Sequence, residues 1–422
     1  MKRLLFLLLL IPCLLFSQSN SIQSGDGHFT GKLSVNGAFT AGSGSCSQNI
    51  TATLYVSPDG DDSDGSTFTK AYTTIQAALD AASTDANDLT LILVAPHATY
   101  YDIDTTGDPT WTGNYEIAGT HRRWSAVRNE HNNATSIFKF TGKVSLTNLA
   151  LSSSDNGIGG SVGGVVFTKS GFRVRKCGFN SQSTTHANKS IHIDGSGGAI
   201  MGGRVQDVEM LGTKTVTTGI YLNNAKINTF DDISIHTVAK GLQIINADSD
   251  NNYFNHFDVG DATLALDIDA GNGQHFNNLN FHINTTNVDD EVGDHVWTNI
   301  HGQFAIAVLP DDFTGIAVDT GDGADTWSGL ITVYTHTGSS PFRVIATHSE
   351  VGTTEWYRLQ YTIDDGATYF DDLMFDANRR EGNASPSGTE FIFNKGTVIK
   401  ARSKSESAGV DELDIWIEVQ EI

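Results

Sequence analysis

Two aspartates in the second half of the chain, Asp267 and Asp269, could serve as a general acid and a general base. They flank Ile268 in a short alternating stretch that begins at Leu266. In a β-strand, side chains two residues apart share a face and lie roughly 7 Å apart. An inverting glycosidase uses a separation of that size to fit a water molecule between acid and base. The pair therefore predicts glycan hydrolysis as one candidate activity.

A second pair, Asp207 and Asp232, occupies the third position, here called the polar slot, in two successive copies of a six-residue sequence repeat. Stacking of the two copies would bring the carboxylates close enough for a retaining glycosidase. Other repeats place an amide, an amine or an imidazole in that slot: Asn148, Lys176, His256 and Asn278. A position this tolerant of residue type is typical of a bend, where asparagine and aspartate are favoured by their local hydrogen bonds. The bend is the favoured interpretation of this slot.

Each repeat also contains a short stretch in which apolar and polar residues alternate. The residues that face outward from these stretches predict a ligand-binding face. We call the residues at one slot of successive repeats a file. One file contains His192, Tyr221, Gln243 and Asp267, and the neighbouring file begins with Asp194 and Asn223 and ends at Asp269. Because files stack at the strand spacing of about 4.8 Å, these polar side chains could line a bound glycan.

The stretch from 97 to 135 interrupts the early repeats and carries a second candidate surface. Within it, Trp124 follows the basic pair Arg122 and Arg123. An aromatic face packs well on a pyranose ring, so Trp124 and Arg123 predict a sugar-stacking shelf. The alternative is that the aromatic rings of this stretch only cover the end of a helix.

An acidic cluster near the start of the mature chain suggests a calcium site. Its four carboxylates belong to Asp59, Asp61, Asp62 and Asp64. Carboxylate oxygens are the ligands that Ca²⁺ prefers, but the spacing does not match the twelve-residue EF-hand loop. The alternative is a set of turns in which aspartate and serine bond their own backbone.

The histidines show no spacing typical of a metal site. They are scattered about one per repeat: His192, His256, His275 and His282. The sequence therefore predicts no required cofactor and leaves Ca²⁺ as the candidate ion.

The elements that must position these residues come from a six-residue phrase that recurs along the middle of the chain. It reads apolar, any, polar, apolar, any, apolar, and its copies begin 22 to 31 residues apart. The copies begin at Leu146, Val174, Val205, Phe230, Phe254 and Phe276. A repeat of this length predicts stacked supersecondary units.

A short alternating strand lies inside each period. These strands are Val165–Phe167, Ile191–Ile193, Ile220–Leu222, Leu242–Ile244 and Leu266–Ile268. The periods are too short for a helix and two strands, and valine, isoleucine, phenylalanine, asparagine and glycine dominate them. The sequence therefore predicts an all-β fold in which parallel coils stack around a narrow apolar core.

The segment in front of the repeats carries a resemblance to a known family. It consists of Tyr55-Val-Ser-Pro-Asp-Gly60, the stretch 71–82 and the apolar run 89–96. It is similar to the entrance of the right-handed parallel β-helix proteins called pectin-lyase-like, which include phage tailspikes. The resemblance implies a right-handed β-helix. Thr73 or Thr74 could cap a short helix that plugs the open end of the solenoid.

The resemblance does not extend to the catalytic motifs of the family's pectin-degrading hydrolases. The chain contains no Asn-Thr-Asp, and no Arg-Ile-Lys follows His301-Gly302. It also lacks the clustered basic residues of the lyases. The resemblance therefore implies a fold and leaves the reaction open. Residues 29–39 resemble the glycine-punctuated phrases near the start of phage tail-fibre proteins.

Both ends of the chain differ from the repeats. Met1-Lys-Arg, followed by an apolar run from Leu4 to Phe16, predicts a signal peptide and export. Alternating stretches after about residue 300 predict antiparallel strands that form a jelly-roll-like β-sandwich. The predicted organisation is a signal peptide at 1–18, a Gly/Ser-rich linker or stalk at 19–53, the β-helix with its capping helix at 54–299 and the sandwich at 300–422.

Charge limits the partners of the protein. The formal net charge is −23, and such a surface repels phosphate backbones and anionic lipids. We therefore expect no nucleic-acid partner and no membrane insertion. Polyanionic glycans would need Ca²⁺ to bridge the charges, so neutral glycans are favoured.

Three functions are consistent with the sequence. The first is an extracellular or virion-associated protein that binds surface polysaccharide in the manner of a tailspike or fibre, as a homotrimer. The second is a secreted glycoside hydrolase or polysaccharide lyase of the same fold. The third is a surface scaffold without enzymatic activity. Export is natural for a secreted enzyme, whereas a tail protein assembled in the cytoplasm needs no signal peptide.

Overall fold

A computed structural model describes part of the chain, and all described residues belong to one compact unit, 48–422. The described ranges are 50–103, 110–129, 136–153, 164–181, 187–302, 306–309, 316–321, 323–350, 356–375, 392–406 and 412–422. The predicted signal peptide at 1–18 and most of the predicted linker at 19–53 lie outside them. Among the described residues, no helix is long and apolar enough to cross a membrane.

Strands make up almost all of the regular structure. The helix α1 covers Ile75–Ala81. The first strands are β1 (Ile50–Val56), β2 (Leu89–Val94), β3 (Tyr101–Asp102), β4 (Thr110–Trp111), β5 (Asn114–Gly119), β6 (Ala126–Asn129), β7 (Phe138–Phe140), β8 (Val144–Thr147), β9 (Ala150–Ser153), β10 (Val165–Phe167), β11 (Arg173–Arg175), β12 (Gly178–Ser181), β13 (Asn188–Asp194), β14 (Ile200–Met201), β15 (Arg204–Leu211) and β16 (Thr217–Asn223).

The remaining strands continue in the same order. They are β17 (Ala225–Lys226), β18 (Thr229–His236), β19 (Lys240–Ile244), β20 (Tyr253–Gly260), β21 (Leu264–Ile268), β22 (His275–His282), β23 (Thr286–Asp290), β24 (Val296–Gly302), β25 (Ile306–Leu309), β26 (Ile316–Asp319), β27 (Ile331–Thr335), β28 (Phe342–Glu350), β29 (Tyr357–Thr362), β30 (Phe370–Phe375), β31 (Val398–Ser405) and β32 (Glu412–Glu421).

The strands up to β24 form a parallel β-solenoid, which confirms the predicted fold class. A 14-stranded sheet, here called sheet A, and an 8-stranded sheet, here called sheet B, run the length of the solenoid. Each of β15, β18, β20 and β22 contains one complete copy of the six-residue phrase. Consecutive copies pair in parallel at the same phrase position, so the sequence repeat and the structural coil coincide.

The polar slot of the phrase is a left-handed bend in every copy. Its residues have φ between 49° and 59°: Asn148, Lys176, Asp207, Asp232, His256, Asn278 and, in the next coil, Asn299. Asparagine and aspartate tolerate this region better than other residues with a side chain, because they hydrogen-bond locally. This geometry confirms the bend interpretation and accounts for the aspartates at 207 and 232 without catalysis.

Aromatic rings stack along the core at the spacing of the coils. Phe230, Phe254, Phe276 and Trp297 occupy one file, with ring centroids 4.8, 4.9 and 4.4 Å apart and nearly parallel planes. The three phenylalanines are almost fully buried. Because strands lie about 4.8 Å apart, each ring contacts its counterpart in the next coil. These four coils therefore share one continuous aromatic column within the core.

A second internal file carries amides. Asn228 Nδ2 donates to Asn252 Oδ1 at 3.0 Å, and Asn252 Nδ2 donates to Gln274 Oε1 at 3.1 Å. The backbone N–H of Gln274 in turn donates to His295 Nδ1 at 3.3 Å. All four side chains are buried, and the same oxygens also accept backbone N–H groups at the turn. The ladder satisfies polar groups that burial would otherwise leave unpaired.

Helix α1 lies at the first coils, as the sequence predicts. Thr74 caps it by accepting a hydrogen bond from the Ala77 backbone N–H at 3.1 Å. Ile75, Ala78 and Leu79 are buried in the solenoid core. The strand β1 begins at Ile50, inside the range assigned to the linker, and pairs in parallel with β2. The helix and β1 together cover the first edge of the solenoid.

After β24 the pairing becomes antiparallel. One small sheet joins β25, β26 and β28 to β32, and a second has the order β27, β31, β29, β30. These sheets enclose their own core and form a β-sandwich-like region, as predicted. Asn394 of this region accepts a hydrogen bond from Trp297 Nε1 at 3.0 Å, so it contacts the last coil directly.

Two isoleucines occupy left-handed positions at which a β-branched residue is strained. Ile227 has φ 54° and Ile283 has φ 59°, and their side chains are 55% and 78% exposed. We expect Ile227→Asn and Ile283→Asn each to raise the free energy of unfolding by about 1 kcal/mol, because asparagine relieves the strain and little apolar burial is lost. Denaturant titration measures the change.

The control for this prediction is Leu211→Asn. Leu211 is also an exposed apolar residue, 48% exposed, but it is the last residue of strand β15 and is not in the left-handed region. Asparagine is disfavoured in strands, so no gain is expected there. If the free energy of unfolding of both isoleucine variants were equal to or lower than that of the wild type, the proposed strain at these two positions would be contradicted.

Candidate functional site

The outer side of sheet B carries four of the six predicted ligand-binding residues, and we call it the sheet-B face. Backbone pairing places His192 beside Tyr221, Tyr221 beside Gln243, and Gln243 beside Asp267. Asp194 pairs with Asn223 in the neighbouring file. The sequence therefore located these files correctly, because side chains alternate strictly along a strand.

Hydrogen bonds link the polar side chains of this face from coil to coil. Asn223 Nδ2 donates to Asp194 Oδ1 at 3.2 Å, and Asn246 Nδ2 donates to Asn223 Oδ1 at 3.0 Å. Gln243 Nε2 lies 3.5 Å from Asp269 Oδ2. Although burial opposes it, hydrogen bonding to Ser196 holds the pKa of Asp194 below its ordinary value. The face thus presents amides and an ionised carboxylate in fixed positions.

Tyr221 is less available to a ligand than the sequence suggests. The Lys189 ammonium lies over its ring, 3.4 Å from the centroid. The His192 ring meets it edge-on, with centroids 4.9 Å apart. One face of the Tyr221 ring is therefore occupied by a cation–π contact, and only the remaining surface and the hydroxyl can meet a sugar.

His192 itself is nearly enclosed. It is 7% exposed, and neither ring nitrogen has a hydrogen-bond partner among the described residues. Burial, together with the Lys189 and Lys139 charges, lowers the pKa of His192 to about 4. The imidazole is therefore neutral at pH 7 and cannot act as a cationic sugar ligand.

The two candidate catalytic carboxylates have different environments. Asp269 is exposed, but Asp267 is only 4% exposed and forms an ion pair with the Lys240 ammonium. Burial raises the pKa of Asp267, and Asp269 and Asp289 add to the rise while Lys240 opposes it. The expectation that both face solvent is wrong for Asp267, which is buried and which the side chain of Lys240 reaches from the preceding coil.

Trp124 and Arg123 lie elsewhere on the solenoid. They belong to the turn between β5 and β6, which are strands of sheet A. Trp124 is 54% exposed, with His121 as its ring neighbour. The adjacent Arg122 reaches Asp207 at 3.1 Å and the Cys177 carbonyl at 3.2 Å. The structure therefore does not bring the aromatic shelf and the sheet-B face together.

The acidic cluster forms turns in the loop after β1. Asp61 Oδ1 accepts from the Ser63 backbone N–H at 3.0 Å, and Asp64 Oδ1 accepts from that of Ser66 at 2.9 Å. Asp62 accepts from the Thr73 hydroxyl at 2.8 Å. These bonds engage the carboxylates of Asp61, Asp62 and Asp64, while Asp59 joins none of them. A Ca²⁺ site on this loop stays a prediction.

Sequence reasoning missed one group of ligand-type side chains. Within the described part of the chain, His236, Asp258 and His282 are the residues whose nitrogen and oxygen atoms converge as a candidate metal site. The signal was present in the sequence. His236 and His282 occupy the same slot of the repeat, with Gly260 in that slot of the coil between them. The two histidines are far apart along the chain, so they can be recognised as neighbours only after the repeats are aligned with each other.

Comparisons with known proteins give only distant likenesses. No protein-family model matches the chain, and no curated protein matches it. The tailspike protein of Acinetobacter phage vB_ApiP_P1 is 11% identical, with a TM-score of 0.30 over 88% of this chain and 87% of that one. The strand pairing of the chain itself, rather than these likenesses, establishes its fold.

Two further solved structures are similarly distant. Pantoea stewartii WceF, described as a glycan biofilm modifying enzyme with a bacteriophage tailspike-like parallel β-helix fold, is 10% identical, with a TM-score of 0.31 over 82% of this chain and 59% of that one. Tailspike protein gp49 from Acinetobacter baumannii bacteriophage Fri1, a capsular polysaccharide depolymerase, is 8% identical, with a TM-score of 0.24 over 79% of both chains.

The depressed pKa of His192 predicts a loss of stability in acid. The unfolded chain binds a proton near the ordinary histidine pKa of 6.5, whereas the folded protein does so near 4. Stability is therefore fully present above pH 6.5 and falls as the pH drops towards 4, by about 3 kcal/mol for this group. We expect His192→Gln to remove this part of the pH dependence, as measured by denaturant titration at pH 7.5, 5.5 and 4.5.

Tyr221→Phe is the matched control, since it changes the neighbouring ring without removing a group that titrates between pH 4 and 7.5. Its pH profile should parallel that of the wild type. An unchanged slope in His192→Gln would show that folding leaves the pKa of the His192 imidazole near its ordinary value.

Proposed function

We propose that this chain is a polysaccharide-binding β-helix protein of the tailspike or fibre type, and that the sheet-B face is its binding surface. The observation that carries the proposal is a hydrogen-bonded row on that face, formed by the Asp194 carboxylate and the amides of Asn223 and Asn246. Asn223 links Asp194 to Asn246 across three successive coils. A row of this kind offers donors and acceptors to successive sugar hydroxyls.

The solenoid supports this function through its rigidity. Backbone pairing fixes the outward side chains of each coil relative to the next, so little side-chain or loop ordering is needed on binding. Because the coils repeat at about 4.8 Å, the face matches an extended chain rather than a compact ligand. The carboxylates of Asp194 and Asp269 favour hydroxyl-rich neutral glycans over polyanions.

The proposal includes the setting of the protein. A signal peptide at residues 1–18 would export the chain to the cell surface or medium, and the alternative is assembly on a virion surface. A homotrimer would present three sheet-B faces to a repetitive polysaccharide and gain avidity without new contacts. The antiparallel region after residue 302 would then serve as a jelly-roll-like head.

Glycoside hydrolysis is the second candidate function, and the raised pKa of Asp267 favours it. A general acid must hold a proton near the working pH, and burial moves Asp267 in that direction. Asp269, exposed directly after the strand that contains Asp267, would act as the base that activates water. Lys240 is the feature that opposes this function, since its ammonium favours the ionised form of Asp267.

Binding can be tested by removing amides from the sheet-B face. We expect Asn223→Ala and Gln243→Ala each to weaken binding of a neutral polysaccharide about 5- to 10-fold, the effect of one or two lost hydrogen bonds. Affinity electrophoresis or a glycan array on the wild type first identifies the polysaccharide.

Asn277→Ala is the matched control for these variants. Asn277 is also an outward amide that bonds the preceding coil, at 2.8 Å to Asn255 Oδ1, but it lies on sheet A. Its affinity should equal that of the wild type. If Asn223→Ala, Gln243→Ala and Asn277→Ala all lost affinity equally, or if none of them lost affinity, the sheet-B face would be rejected as the binding surface.

Hydrolysis is tested separately by release of reducing ends from the bound polysaccharide. If the chain is an enzyme, Asp267→Asn and Asp269→Asn should each reduce release at least about 100-fold while binding persists. Binding by the wild type without any release would exclude the hydrolase function and leave the binding function intact. Unchanged release in both variants would reject these two residues as the catalytic pair.

A further inference from the structure

Three polar residues on the outer side of sheet A, His236, Asp258 and His282, form what we call the histidine trio. They lie on three adjacent strands, β18, β20 and β22. Backbone pairing places His236 beside Gly260 and Gly260 beside His282. Asp258 precedes Gly260 by two residues and therefore points to the same side of the sheet. Each coil thus contributes one ligand-type side chain to a single point.

The two imidazoles lean towards each other across the middle coil. Equivalent residues two coils apart are separated by about 9.6 Å, twice the strand spacing. The ring centroids of His236 and His282 are only 5.3 Å apart. Both side chains therefore fold inward over the strand between them.

Glycine at position 260 makes this convergence possible. A Cβ built on Gly260 would lie 2.2 Å from His282 Nε2 and 2.8 Å from His236 Nδ1. Any side chain there would push the two rings apart. The coil before His236 places Leu211 in the same file. Gly260 is therefore the small residue in a file of larger side chains, and it lies in the coil over which the two imidazoles meet.

The donor atoms are spaced as metal ligands are. His236 Nε2 lies 3.4 Å from Asp258 Oδ2, and His282 Nδ1 lies 3.3 Å from Asp258 Oδ1. Ligands about 2.1 Å from a tetrahedral ion are about 3.4 Å apart. All three ligand atoms lie within 4.8 Å of one another, so a small rotation of one ring closes the third side of the triangle.

We propose that the histidine trio binds a divalent transition-metal ion, with Zn²⁺ as the best match. Two imidazoles and one carboxylate suit Zn²⁺ and its neighbours in the first transition row, whereas Ca²⁺ and Mg²⁺ prefer oxygen ligands only. The side chains are each about one-third exposed, which leaves a coordination position for water. The site tethers three coils of sheet A and is separate from the sheet-B face.

Neighbouring side chains would orient the ligands. Asn280 Nδ2 donates to Asp258 Oδ1 at 2.8 Å, which fixes the carboxylate. The Ser234 hydroxyl lies 2.8 Å from His236 Nε2. Partners of this kind commonly tune metal affinity. The Ser234 hydroxyl would turn away from Nε2, or join the ion, when the metal binds.

The test is isothermal titration of the untagged, full-length protein with ZnCl₂ after dialysis against EDTA and then metal-free buffer, with no glycan present. We expect one Zn²⁺ per chain and a higher melting temperature in its presence. His236→Ala and His282→Ala should each weaken binding at least about 10-fold, and Asn280→Ala by less.

His256→Ala is the matched control. His256 also faces an aspartate, Asp231, at 3.5 Å, but among the described residues no second imidazole joins that pair as a metal ligand. Its Zn²⁺ affinity should equal that of the wild type. Absence of binding by the wild type, or equal affinity in all variants, would overturn the proposal.

A second measurement does not depend on the variants folding. Co²⁺ added to the wild type should produce visible d–d absorption bands typical of mixed nitrogen and oxygen ligation, and Zn²⁺ should displace it. A spectrum identical to that of aquated Co²⁺ would also overturn the proposal. Neither experiment involves the polysaccharide, so its outcome is independent of the proposed binding function.

Discussion

The narrow interior of the solenoid is the constraint on which the rest of the structure depends. The apolar residues of every coil pack into one core that they share with the neighbouring coils, so the chain must turn at the same points in every coil. The left-handed file from Asn148 to Asn299 meets that requirement at one corner. The rings from Phe230 to Trp297 can stack only because those turns keep successive coils in register.

The same constraint explains why the sequence predicts so much of the fold. Each slot of the six-residue phrase has one environment in every coil, so its residue preferences are repeated and become visible in the sequence. The apolar slots identify the core, and the polar slot identifies the bend. The Thr74 cap and the buried face of α1 were predictable for a related reason, since both depend on neighbours within one helical turn.

The candidate site was predictable only in part. Pairing register follows from the repeat, so the file from His192 to Asp267 could be located. The burial of Asp267 and its ion pair with Lys240 could not, because they depend on how side chains are placed around each slot, which the repeat does not specify. The histidine trio was also missed, because its convergence requires two side chains to tilt across a glycine. The repeat predicts where the backbone of each residue lies in the coil. Metal binding and catalysis depend also on the direction of the side chain, which the repeat does not predict.

The buried amide ladder has an evolutionary consequence. Every rung donates in the same direction, from Asn228 to Asn252 and from Asn252 to Gln274, and each rung belongs to one coil. Removing one whole coil would place Asn228 against Gln274, which offers the same acceptor, and the bend and the aromatic column would also rejoin in register. Loss of half a coil would disrupt the amide ladder, the file of bends and the aromatic column. The solenoid can therefore lengthen or shorten in whole coils, so that a lineage could adjust its reach without redesigning its core.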